Sequence, residues 1–215
     1  MDFSRISLTT VALTALTSAQ GAYAATFSDL ASFAAATTIT VTEDFESLGT
    51  DTNSFDGPIT FASNITVSSQ SNDLFSVGPG QSSNLTTAIG SNSPSEDTLT
   101  FDLGGVFGAI GFDLYQNLGG GSQGGGVADF VISFFLGAAN VGFENTTVAP
   151  NGGSFFGFTG LLFDRVEIEA VAGSSFEVAD NVALGDAVAP VPVPATLPLL
   201  VLALGGIAAL RRRKA

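Results

Sequence analysis

The chain has 215 residues, with 20 acidic side chains, six Lys or Arg, no His and no Cys. The lack of His and Cys excludes the Ser-His-Asp and Cys-His nucleophile systems, the usual zinc sites and any disulfide. Five of the six cations lie near the ends of the sequence, so residues 25–188 hold one cation, Arg165, against 19 carboxylates, a net charge of −18. This sign excludes nucleic acid and anionic lipid as partners.

Residues 1–24 have the pattern of a secretory signal peptide. Arg5 precedes an apolar stretch, and Ala22 and Ala24 place small residues at the two positions that a signal peptidase reads. The sequence therefore predicts export through the Sec system. Cleavage would leave Ala25 as the new N-terminus of a secreted domain that covers residues 25–188.

Strands are predicted almost throughout this domain, after one weak helical turn at 28–36. Apolar and polar residues alternate in eight segments, separated by clusters of Gly, Asn, Ser and Asp that are typical of turns. The segments are 39–45, 59–61, 65–67, 99–103, 110–114, 130–134, 166–170 and 176–178. Their spacing predicts an all-β, two-sheet β-sandwich, and we expect a jelly roll in which the first and last strands are neighbours. The 18 Phe residues of the domain are expected to fill its core.

Two carboxylates interrupt the alternation. Glu43 shares the apolar parity of the first predicted strand, and Asp180 shares that of Phe176, Val178, Val182 and Leu184 in the last. Both would point inward, so we expect either a bulge or strand end that turns each one outward, or a cation that meets it. With a single Arg in the domain, the expected cation is Ca²⁺, with Asp44, Glu46 and Asn181 as further ligands. The last strand also resembles the ends of jelly-roll, lectin-like modules, in which a structural calcium ties the terminal strands together.

Two further kinds of site can be considered. Tyr115, Gln116 and Asn117, at the start of a glycine-rich stretch, offer a ring and two amides to a sugar, and the alternative is a plain hairpin loop. A glycoside hydrolase needs a pair of carboxylates, but no pair stands in two unlike environments that would separate its pKa values. We therefore expect no enzyme activity, and keep a carboxylate-based glycoside hydrolase as the third alternative for function.

Residues 189–215 form a tail with three parts. In order, they are the motif Val191, Pro192, Val193, Pro194 and Ala195, the apolar run 197–210, and the basic cluster Arg211, Arg212, Arg213 and Lys214. Proline keeps the motif extended and open to a protease. The apolar run, roughly 15 residues, is shorter than the roughly 20 of a stable span, and the basic cluster holds the end in the cytoplasm. The sequence predicts a short transmembrane helix that anchors the chain transiently in the inner membrane.

This order of parts resembles the PEP-CTERM family of bacterial sorting tails, and most closely its VPLPA-type variant. Val193 stands where that variant has Leu and where the main family has Glu. The resemblance implies a substrate of an exosortase-type membrane transpeptidase or protease, in a Gram-negative bacterium that makes extracellular polysaccharide. An ordinary tail anchor after a proline linker is the alternative.

Together these features lead us to expect an exported, exosortase-processed, acidic protein of the cell surface or extracellular matrix. It would be cut or transferred near Pro194 and would have a structural or adhesive, non-catalytic role linked to exopolysaccharide and biofilm. The second hypothesis is a calcium-stabilised carbohydrate-binding module of the lectin-like kind.

Overall fold

The structure of the chain is a computed structural model that describes residues 24–80, 85–91, 97–117, 127–149, 152–171 and 176–188, with the backbone alone for residues 116, 117 and 176. These residues form two short helices, α1 (Leu30–Ala36) and a 3₁₀ helix (Glu46–Leu48). They also form the strands β1 (Ala25–Phe27), β2 (Thr37–Glu43), β3 (Ser54–Asp56), β4 (Ile59–Thr60), β5 (Thr66–Ser69), β6 (Asp73–Val77), β7 (Ala88–Ser91), β8 (Thr98–Asn117), β9 (Ala128–Leu136), β10 (Ala139–Val148), β11 (Gly153–Val171) and β12 (Phe176–Ala187).

The predicted all-β class is confirmed, and α1 is the predicted helical turn. Its N-terminus is capped by Asp29, whose Oδ1 accepts the Ser32 N–H at 2.8 Å. Phe33 is its buried residue and packs edge-on against Phe27 and beside Phe155. In the described ranges no helix is long and apolar enough to cross a membrane. The predicted tail helix, 197–210, lies outside those ranges.

The described strands form one antiparallel sheet, in the order β10-β9-β11-β8-β12-β7-β6-β3. Off this path, β1 pairs with β11, β2 with β12, and β5 with both β4 and β8. The two longest strands, β8 and β11, pair along two stretches that are separated by register shifts. Gly104 lies in this break with φ 67°, and a Cβ there would be 2.6 Å from the backbone oxygen of Asn64. The break therefore requires glycine at this position.

The break divides the sheet into two halves. The β5 half contains β4, β5, β9, β10 and the stretch in which 98–102 of β8 pairs with 165–169 of β11. The β12 half contains β1, β2, β3, β6, β7, β12 and the stretch in which 109–115 of β8 pairs with 153–159 of β11. The two predicted strands 99–103 and 110–114 are thus one continuous strand, β8. Its first part belongs to the β5 half and its second part to the β12 half.

The main core contains side chains from both halves. Phe134 of the β5 half and Phe158 of the β12 half stack with ring centroids 4.2 Å apart. The expectation that Phe fills the core is confirmed, because eight Phe side chains of the described residues are fully buried: Phe33, Phe45, Phe101, Phe112, Phe130, Phe134, Phe158 and Phe163. Smaller clusters around Phe75 and around Phe33 lie apart from this core.

Five strands have no counterpart in the periodicity: β1, β3, β6, β7 and β10. β1 and β3 have only three residues each, too few for an alternation to show. β6 and β7 are buried along almost their whole length, so no polar face marks them in the sequence. β10 lies at the end of the sheet and is mostly exposed, and its residues do not alternate between apolar and polar. Period-two alternation marks a strand only where one face is buried and the other is solvated.

Candidate functional site

The predicted sorting and cleavage motifs lie almost entirely outside the described residues. This applies to the proline motif at 191–195, the basic cluster at 211–214 and Ala22. Ala24 is described, and Ala25 is the first residue of β1, where it pairs with Thr159 of β11. The segment that follows the predicted cleavage point is thus part of the sheet, and cleavage itself stays a prediction.

Glu43 points into the protein, as its parity predicts. Its side chain is 9% exposed at the end of β2. Oε1 accepts the Phe45 N–H at 3.0 Å, and Oε2 accepts the Ser63 hydroxyl at 2.7 Å. Phe45 has a left-handed φ of 56°, in the turn that directs its N–H back toward the carboxylate. Two neutral donors therefore meet this buried charge.

Asp180 is fully buried in β12, as its inward parity predicts, but it does not share the face of Val182. A register shift with β8 between Asp180 and Ala183 marks a β-bulge, and Asn181 in it has a left-handed φ of 52°. Because the bulge reverses the parity, Val178 packs in the Phe75 cluster whereas Val182 packs in the main core. The prediction that Asp180 shares a face with Val182 is therefore wrong.

Hydrogen bonds and like charges surround the Asp180 carboxylate. Oδ1 accepts the Asn181 N–H at 2.7 Å, and Oδ2 accepts the Thr86 hydroxyl at 2.6 Å. Asp113 is its register partner on β8, and the Asn181 side-chain amide donates to Asp113 Oδ2 at 2.9 Å. The pKa of Asp180 is raised to about 6, mainly by burial; the carboxylates of Asp113 and Glu46 contribute to the rise, and the hydrogen bonds from Thr86 and Asn181 oppose it.

The five predicted calcium ligands are not gathered into one cluster. Glu46 Oε1 accepts the Thr87 N–H at 2.7 Å, and the exposed Asp44 accepts the Glu46 N–H at 3.2 Å. The two oxygens of Glu43 accept hydrogen bonds from Phe45 and Ser63. Within the described ranges, no group of three or more Asp, Glu, His or Cys is spaced to hold a metal ion.

Tyr115, Gln116 and Asn117 belong to β8 and not to a loop. The Tyr115 ring is half-buried against the Phe75 cluster and lies over Gly153, where a Cβ would be 2.3 Å from a ring carbon. Burial raises its pKa to about 12, with smaller contributions from Asp113 and Asp180. The backbones of Gln116 and Asn117 pair with β12. The hairpin-loop alternative is therefore wrong for these three residues, and sugar binding by them stays a prediction.

Glu177 is a fully buried carboxylate that the alternation of Phe176 and Val178 does not single out. It bridges the ends of two strands, because Oε2 accepts the Ser91 hydroxyl of β7 and Oε1 accepts the Ala170 N–H of β11 at 2.9 Å. Burial raises the pKa of Glu177 to about 7, and the nearby Asp97 carboxylate adds to the effect. Glu177 is buried because both faces of β12 are covered by other parts of the protein. The alternation of residues along one strand does not show this.

A groove of about 360 Å³ lies on the outer face of the β5 half. We name it the hydroxyl groove; its lining residues are Ser68, Ser69, Gln70, Thr98, Thr100 and Glu167. They come from β5, β8 and β11 and the turn after β5, because the alternate residues of these strands, such as Val67, Phe101 and Ile168, point into the core. Arg165 lies beside the groove: its Nε is 3.1 Å from Glu167 Oε1, although the N–H is not aimed for a hydrogen bond, and its guanidinium stacks on Phe135 at 4.3 Å.

The site chemistry is therefore that of hydroxyls, amides and buried carboxylates on a rigid sheet. The carboxylates Glu43, Asp97, Glu177 and Asp180 are each held by hydrogen bonds from the protein. Comparison of the chain with protein-family models and with curated proteins finds no match.

Proposed function

We propose that the chain is an exported, acidic protein of the cell surface or extracellular matrix that is processed at a C-terminal sorting tail. Its role would be structural or adhesive, in contact with exopolysaccharide. The observation that carries the proposal is the tail itself, in which the proline motif, the short apolar run and the basic cluster follow each other in order. The described β domain supports it, since β12 ends at Ala187, immediately before the tail.

We further propose that the domain is a two-sheet sandwich of the jelly-roll kind. Two observations support this. The β5 half and the β12 half contribute to the same core, and the second strand, β2, pairs with the last strand, β12. The first strand, β1, instead pairs with β11. A sandwich of this kind presents the outer face of each sheet and several loops for contact with a polymer.

Processing can be tested with single substitutions in the proline motif. We expect Pro194→Ala to let the backbone leave its extended form and to keep the chain in the inner membrane with its basic cluster still attached. Val193→Leu is the matched control: it supplies the residue of the VPLPA-type variant and should be processed like the wild type. Membrane and matrix fractions of the producing bacterium, analysed by immunoblot, separate the outcomes. Equal distribution of all three proteins would contradict the proposal.

A calcium-stabilised carbohydrate-binding module is the second candidate. The observation that favours it is the position of buried Asp180 beside its register partner Asp113: burial raises the pKa of Asp180, the charges of Asp113 and Glu46 add to this rise, and a divalent cation would relieve it. On this hypothesis, millimolar Ca²⁺ raises the melting temperature of the protein and a chelator lowers it. Asp113→Asn should remove the response, whereas Asp129→Asn, on β9, should not. A melting temperature that ignores both Ca²⁺ and the chelator would exclude this candidate.

A further inference from the structure

The hydroxyl groove carries polar side chains that have no hydrogen-bond partner among the described residues. Apart from backbone pairing, no described residue hydrogen-bonds the hydroxyls of Ser68, Thr98 and Thr100 or the side-chain amide of Gln70. Each hydroxyl can donate one hydrogen bond and accept two, and the amide can both donate and accept. The groove is thus a fixed array of donors and acceptors open to an external partner.

The groove carries little charge of its own, although the exposed carboxylates of Asp102 and Glu169 flank it, opposite Arg165 and Thr98 in the register of β8 and β11. Its single charged lining residue is Glu167, and the Arg165 guanidinium lies beside that carboxylate. Residues 25–188 carry a net charge of −18, with Arg165 as the one cation. The domain as a whole therefore repels polyanions, whereas this surface has the chemistry to bind an uncharged, hydroxyl-rich molecule.

An exposed aromatic ring lies on the same face. The strand registers place Ser68, Thr100, Glu167, Ser133 and Phe143 in one row across β5, β8, β11, β9 and β10. The Phe143 side chain is 63% exposed, although it is a large apolar group. At about 4.8 Å between neighbouring strands, the row is about 19 Å long. This is the length of an oligosaccharide segment and not of a single sugar.

We propose that this row, from the hydroxyl groove to Phe143, binds a neutral polysaccharide laid across the strands. The sugar hydroxyls would exchange hydrogen bonds with Ser68, Thr100 and Glu167, and one sugar ring would pack its apolar face on Phe143. The inference rests on the proposed exopolysaccharide role, and it names the contact surface and the class of glycan.

The test uses the full chain, solubilised in a polyoxyethylene detergent because that headgroup contains no sugar. Its binding is measured by affinity electrophoresis in gels that contain dextran, laminarin, hydroxyethylcellulose or a galactomannan, with alginate as the acidic comparison. The variant Ser68→Ala/Thr100→Val removes two hydroxyls and leaves the strands intact. Thr147→Val, on β10 and outside the row, is the matched control.

We expect saturable binding to at least one of the neutral polymers, weakened roughly fivefold or more by the double variant and by Phe143→Ala, but unchanged by Thr147→Val. Binding to alginate alone, or binding that the groove variants leave unchanged, would overturn the inference and leave the exopolysaccharide role standing. Failure to bind any of the five polymers would overturn the inference. If the wild-type chain also failed to associate with the matrix of the producing bacterium, the proposed function itself would fall. Circular dichroism of each variant shows that it is folded.

Discussion

Replacing Glu177 by glutamine tests how the buried carboxylates set the pH dependence of stability. Glu177 lies at the ends of β7 and β11, where Ser91 and the Ala170 N–H bond its two oxygens. Glutamine has nearly the same shape: its oxygen can accept the Ala170 N–H and its NH2 can donate to the Ser91 hydroxyl, but it cannot titrate. The variant therefore removes the ionisation and little else.

The size of the effect follows from the pKa of Glu177, which burial raises from 4.5 to about 7. Each pKa unit corresponds to about 1.4 kcal/mol, so ionising this group in the folded state costs about 3 kcal/mol. The pKa of Glu177 is higher in the folded state than in the unfolded state, so folding favours its protonated form. The stability that depends on this protonated form is fully present below pH 4.5 and is lost as the pH rises through about 7. Between pH 5 and pH 8 the wild type should lose roughly 2 to 3 kcal/mol from this group.

The measurement is the free energy of unfolding from denaturant titrations at several values between pH 5 and pH 8. In Glu177→Gln the free energy of unfolding should no longer fall because of residue 177. It should fall only because of Asp180, and this fall ends near the Asp180 pKa of about 6. Glu169→Gln, an exposed substitution on β11, is the control and should change stability by about 0.5 kcal/mol or less at each pH. The reasoning is refuted if the variant and the wild type lose the same free energy between pH 6 and pH 8.

Three further predictions concern packing and charge. Ser63→Ala removes a donor from buried Glu43 and should cost about 1 to 3 kcal/mol, whereas Ser68→Ala, which breaks no bond within the described residues, should cost less than about 0.5. Equal losses in denaturant titrations would contradict this. Gly185→Ala would place a Cβ 2.1 Å from the Thr38 backbone oxygen, and should lower the melting temperature clearly more than Gly105→Ala, whose Cβ would meet its nearest atom at 3.5 Å. A smaller effect at 185 than at 105 would argue against the β2 and β12 pairing. Raising NaCl from 0.01 to 0.3 M should stabilise the domain by screening its net charge of −18, and a melting temperature that falls with salt would count against self-repulsion.

The parts of the fold that the sequence predicts are those with one buried and one solvated face. β2, β9 and the segment 166–170 of β11 alternate because the core lies on one side of each, and their predicted positions are confirmed. β6 and β7 are not predicted, because nearly all their residues are buried and no apolar and polar alternation results. The inward position of Glu43 is also readable from parity, because no bulge lies between it and Val41.

The candidate site is less predictable, because it depends on neighbours that are distant in sequence. The bulge at Asn181 reverses the face of Asp180, and no short sequence pattern marks it. Glu177 is buried by contacts with β7 and with the end of β11. The hydroxyl groove combines residues of β5, β8 and β11, which become neighbours only when the sheet forms.

The most direct test of the proposed export and processing is the intact mass of the protein recovered from the matrix of the bacterium that produces it. The account predicts a chain that begins at Ala25 and has lost the basic cluster Arg211, Arg212, Arg213 and Lys214. A mass of 21.7 kDa, that of the uncut 215-residue chain, would contradict both cleavages. A chain that begins at Ala25 but still ends in the arginines would contradict the sorting tail alone.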